Sequence, residues 1–142
     1  MSDGDDSVLR AITDDGAFRV VVARTTSTVR GVLQAQHARG PSARPFGDLI
    51  TGSVLFRETM APNLRVQGVL KGVGGRGSLV ADSHPSGMTR GLMQLPEGAE
   101  AVDTNAGALL QLMGTLPGGR INQGVVELPA GGDVSRAMMA YM

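Results

Sequence analysis

A chain of 142 residues with 13 basic and 13 acidic side chains has no net charge at neutral pH, so no long-range field draws it to nucleic acid or anionic lipid. With no Trp, one Tyr and three Phe it offers little for stacking bases, and with no Cys it has no disulfide, thiol nucleophile or thiolate metal ligand. The length suits a single domain, and the acidic start MSDGDDSV has neither the basic nor the apolar region of a secretory signal, so a cytoplasmic protein with no membrane partner is expected.

Residues 8–12 (VLRAI) and 17–24 (AFRVVVAR) read as two strands joined at Asp14-Asp15-Gly16, where Asp supplies local hydrogen bonds and Gly tolerates positive φ. Thr26 then stands as the N-cap of a helix with Val29, Val32 and Leu33 at helical spacing, and Gly40-Pro41 punctuates its end. In residues 42–58 the apolar side chains Phe46, Leu49, Ile50, Val54, Leu55 and Phe56 spread round much of a helix, with Gly47, Thr51, Gly52 and Ser53 between them. Such a helix is covered on more than one side. Its small residues allow close approach of neighbouring backbone, as between two sheets.

From Leu64 the period falls to two, Leu64, Val66 and Leu70 alternating with Arg65, Gln67 and Lys71. Gly74-Gly75 turns the chain into a strand at 78–82, and the turn HPSG leads to another at 89–95, an antiparallel meander. A polar stretch at 96–104 precedes a second strand pair, 108–116 and 121–128, across Pro117-Gly118-Gly119. Asp133 caps a last helix with Val134, Ala137, Met138, Tyr141 and Met142 on one face. Because that face runs to the final residue, the polypeptide is expected to continue or a partner to cover it.

Adjacent Asp82, Ser83 and His84 are the residue types of a hydrolytic triad, but in extended chain Asp82 and His84 share one face and Ser83 the other, and Pro85 holds His84 extended. Gly72, Gly74 and Gly77 in GVGGRG match G-x-G-x-x-G, but a strand follows where a dinucleotide site needs a helix, so a hairpin loop is expected. Asp5-Asp6 and Asp14-Asp15 lie in a tail and a turn, where nothing desolvates them for acid–base work. Arg44 and Asp48 stand at i, i+4 and read as a structural pair. His37 and His84 do not form a metal spacing, and the eight Met residues, Met88, Met93, Met113, Met138 and Met139 among them, are gap-fillers or an adaptable apolar surface. No nucleophile, base and oxyanion set emerges, and the reading is a binding protein, not an enzyme.

The ordered stretches DDGAFRVVVARTT, LITGSVLFRETM, LRVQGVLKGVGGRGSLVADSHPSGMTRG and NQGVVELPAGGDVSRAMMAYM resemble the redox-regulated chaperones of the thirty-three-kilodalton heat-shock family over nearly the whole chain. The resemblance implies an N-terminal α+β chaperone core domain, two antiparallel β-sheets packed around a buried central helix in β/α/β layers, incomplete at its C-terminal end. It also implies an ATP-independent holdase that binds unfolded or partly folded client proteins, switched on by oxidation of a C-terminal zinc module with four Cys. With no Cys here, zinc and redox sensing attach to no residue of this chain, and no cofactor is expected in it. Alternation makes Val69, Val73, Met93, Leu95 and Met113 the outward apolar candidates for client binding, and a homodimer or higher oligomer is expected through the same surface. The alternative is a regulatory or scaffold domain that binds one folded partner.

Overall fold

The structure is a computed structural model describing residues 5–60, 63–116 and 118–141; Pro117, Met142 and the first four residues, all used above, lie outside the described residues. The chain forms β1 (Ser7–Ile12), β2 (Arg19–Arg24), α1 (Thr26–Ala35), α2 (Ala43–Met60), β3 (Val66–Lys71), β4 (Ser78–Ser83), β5 (Thr89–Gln94), β6 (Leu109–Thr115), β7 (Ile121–Glu127) and α3 (Val134–Tyr141). All pairings are antiparallel, giving a β1-β2 hairpin and a five-stranded sheet in the order β5-β4-β3-β6-β7. This is the α+β arrangement expected, with α2 between the two sheets.

The layers follow from the pattern of α2. From residue 43 to 59 only Arg44 is exposed, while Phe46, Leu49 and Ile50 are fully enclosed. One side of the helix rests on β3, β4 and β5, whose inward residues Val66, Leu70, Leu79 and Ala81 join Leu110 and Leu112 of β6 in the core. The opposite side meets the hairpin, where Arg10 of β1 pairs with Glu58 and Arg19 Nη2 of β2 donates to the Thr59 carbonyl at 2.9 Å. Glycines on the inner face of the sheet set the helix–sheet spacing. A Cβ on Gly68 would lie 2.5 Å from Ser53 Oγ and 3.1 Å from Leu49 Cδ1, and one on Gly91 would lie 2.6 Å from Val32 and 2.8 Å from Phe46. At the other end Tyr141 lies against Gly124 and meets Phe56 edge-on, ring centroids 5.3 Å apart, so α3 closes the core where α2 leaves β7 uncovered.

Two local expectations change. The N-cap of α1 is Thr25, not Thr26, and its side chain makes no capping bond; instead Asp6, from the start of the hairpin, accepts the Ser27 and Thr28 amides at 3.0 and 2.6 Å together with the Thr28 hydroxyl. Partial burial works against ionisation of Asp6, but these bonds and the nearby Arg24 outweigh it and hold the carboxyl below its ordinary value. Gly40-Pro41 does not end α1, which stops at Ala35; it opens a short 3-10 turn, Gly40–Ser42, that runs into α2. Asp133 caps α3 as read, accepting the Arg136 amide at 3.3 Å.

Gly68→Val is expected to destabilise the fold by about 1–3 kcal/mol in urea denaturation, because the new side chain meets Ser53 and Leu49 in a filled layer. Asp6→Ala is expected to cost about 1 kcal/mol at neutral pH, the usual worth of a cap. The folded pKa of Asp6 lies below its reference of 3.8, so its contribution is present above that pH and is lost as pH falls through the folded value. The stability gap between wild type and Asp6→Ala should therefore close in acid, and a gap independent of pH would contradict the cap.

Candidate functional site

Strand register converts the large sheet into rows. The inner face belongs to the core, and the outer face carries Leu92, Val80, Val69, Gln111 and Val125 side by side across β5, β4, β3, β6 and β7. Leu92 and Val125 are 46% and 55% exposed, and Leu109 on the next row is 40% exposed. On the other side of this apolar row lie Arg90, Asp82, Gln67, Met113 and Gln123. The outer face is thus an apolar band with a polar margin.

The margin is built around Asp82. Arg65 forks onto its carboxylate with Nε and Nη2 each at 2.7 Å, and Arg90 Nε adds a third bond at 3.2 Å. These two arginines cover Asp82, leaving it 8% exposed although it points away from the core. The Arg65 hydrogen bonds, aided by Arg90, hold its carboxyl below the ordinary range against the cost of burial. The carboxylate is thus tied into a two-arginine cluster at the edge of the band.

Ser83 points the opposite way, into the core, where it accepts from Arg57 Nε at 3.0 Å and lies 3.3 Å from Thr89 Oγ1. His84 Nδ1 sits 3.0 Å from Ser86 Oγ in the exposed turn. Ser83 is therefore turned away from Asp82 and His84, which line one outer pocket of about 270 Å³ with Ser86, Met88, Thr89 and Arg90, as alternation required. GVGGRG forms the β3–β4 hairpin, a 3-10 turn at Val73–Gly75 followed directly by β4, so no helix N-terminus faces its glycines. Burial raises the Asp48 pKa, with Asp133 adding to the effect and Arg44 opposing it; no ion pair between Arg44 and Asp48 forms among the described residues. No group of three or more metal-ligating side chains occurs among the described residues.

The sequence-derived apolar candidates divide. Val69 and Met113 point outward on the large sheet. Val73 and Met93 do not: both pack against the core, Val73 from the hairpin loop and Met93 from the inward phase of β5. Leu95 lies just past the end of β5 and is 41% exposed. Outward apolar side chains of the large sheet that alternation did not single out include Leu92, Val80, Leu109, Val125 and Ile121. Leu92 and Met93 are adjacent, so a phase error of one residue exchanged them; Gly91, which must face a helix, is the signal that sets the phase correctly.

A family profile described as "Hsp33 protein" matches residues 6–142. Among curated proteins the chain is similar to the 33 kDa chaperonin of Thermus thermophilus, 27% identical over 147 residues and covering 95% of this chain and 42% of that protein. It is also similar to the 33 kDa chaperonins of Desulforamulus reducens, 30% identical over 65% of this chain and 31% of the relative, and Listeria welshimeri, 28% identical over 64% and 31%. The chain spans less than half the length of these relatives. With an α+β core of two antiparallel sheets and a profile match over nearly its whole length, the chain belongs to the Hsp33 family.

Proposed function

We propose that this chain is the client-binding core of a chaperone that holds unfolding proteins without ATP and without catalysis. The observation that carries this reading is the outer face of the large sheet, where Leu92, Val125 and Leu109 stand exposed beside Val69, Val80 and Met113. A contiguous apolar face of this kind marks a binding or self-association surface. The name 33 kDa chaperonin carried by the relatives agrees with it. Because the band is a strip of aliphatic side chains with little hydrogen-bonding detail, it suits many exposed apolar segments better than one folded partner. Pairing of two copies through the same face is the natural competitor for clients.

Oxidative control belongs in this reading to a zinc-thiolate module of the family and not to these residues, which include no Cys. We place the protein in the cytoplasm; among the described residues no helix is long and apolar enough to cross a membrane.

At several-fold molar excess and without ATP the chain is expected to suppress thermal aggregation of a heat-labile enzyme, followed by light scattering. Leu92→Asp combined with Val125→Asp should weaken capture at least tenfold, since burying each aliphatic side chain is worth roughly 1.5–3 kcal/mol, while thermal unfolding stays unchanged because both side chains are solvent-facing. No suppression by wild type, or full suppression by the double variant, would overturn the assignment. A pulldown that returns one stoichiometric folded protein would favour a scaffold.

A further inference from the structure

β5 ends the large sheet, and its free edge faces a groove of about 540 Å³ whose other wall is α1, through Ser27, Thr28, Gly31, Val32, Ala35 and Gln36. The phase of that edge follows from the turn before it. His84 N–H donates to the Met88 carbonyl at 2.9 Å, so the bonded pairs of the β4–β5 ladder are Asp82–Arg90 and Val80–Leu92. Thr89, Gly91 and Met93 therefore direct their main-chain groups away from β4, the first two into the groove and Met93 toward Gln36 at its end. Met93 shows this directly. Its N–H is taken by Gln36 Oε1 at 3.1 Å, a side-chain amide standing where a strand carbonyl would stand.

We propose that an extended segment of unfolded polypeptide enters this groove and adds to β5 as a sixth strand, displacing Gln36 from Met93. The proposal rests on the chaperone reading and names its mode of client recognition. Thr89, Gly91 and Met93 span about 13 Å of edge, enough to pair with a segment of about five residues. Main-chain pairing is indifferent to sequence, which suits a binder of many clients. It also continues the apolar band: the outward side chain that such a strand places beside Leu92 joins the row through Val80 and Val69. Gly31 and Ala35, both exposed on α1, leave the groove open to a backbone.

The probe is a ten-residue peptide of alternating Val and Thr with Lys at each end, added to the intact chain while amide hydrogen exchange is followed residue by residue. Binding is expected to protect the Gly91 amide at least tenfold, and the same peptide methylated at every central main-chain amide should give no protection. Gly31→Gln should weaken peptide binding at least tenfold without lowering the unfolding temperature, because the missing Cβ of Gly31 faces open space and replacing a helical Gly favours the helix. Equal binding of the methylated peptide, or protection confined to the outer face of the sheet, would overturn the proposal. Concentration-dependent protection of Gly91 without peptide would show a second copy on the edge and overturn it too. If the chain suppresses aggregation but Gly91 stays unprotected, the sixth strand fails and the chaperone reading stands; if Gly91 is protected but aggregation is not suppressed, the reverse holds.

Discussion

The enclosure of α2 is the constraint on which the rest of this molecule depends. The helix is a poor one by itself: Gly47 and Gly52 each cost about 1 kcal/mol relative to Ala. What holds it is burial, with Phe46, Leu49, Ile50 and Phe56 each contributing roughly 1.5–3 kcal/mol once removed from water. A helix that needs cover on opposite sides needs two layers. The five-stranded sheet supplies one, the β1-β2 hairpin the other, and α1 and α3 close the flanks.

That arrangement commits one face of the large sheet to folding and frees the other. Along β4 the division is sharp, since Leu79, Ala81 and Ser83 serve the core while Val80 and Asp82 serve the surface. Arg65 and Arg90 neutralise Asp82 and, in doing so, place long stems beside the apolar band, so the margin adds to the band's reach while ending it in charge. What this face presents is a row of aliphatic side chains ending at an ion-paired carboxylate.

Much of this was legible in the sequence because it rests on periodicity. The crowded apolar pattern of residues 46–56 required a helix covered on more than one side, and the strands, their turns and the separation of Asp82 from Ser83 followed from alternation. Two kinds of information were not legible. Alternation fixes that neighbours face opposite ways but not which way, so by itself it puts Met93 in the place of Leu92 and turns Val73 outward, where the fold packs both against the core. Capping cues are local, whereas the cap of α1 arrives from Asp6, more than twenty positions upstream, and only the fold brings the two together. The groove beside β5 was invisible for the same reason, since α1 and β5 meet only through tertiary packing.

Arg57 is 3% exposed between α2 and β4, bonded to Ser83 and, at 2.7 Å, to Glu58. Leucines and phenylalanines are forgiving neighbours, and a greasy helix lying on greasy strands has many nearly equivalent seats. A guanidinium has one. Slipping the helix by a single turn, about 5.4 Å, would pull this cation away from the Ser83 hydroxyl on β4. The charge thus acts as a locating pin, by which an otherwise oily interior keeps a single seat for the helix.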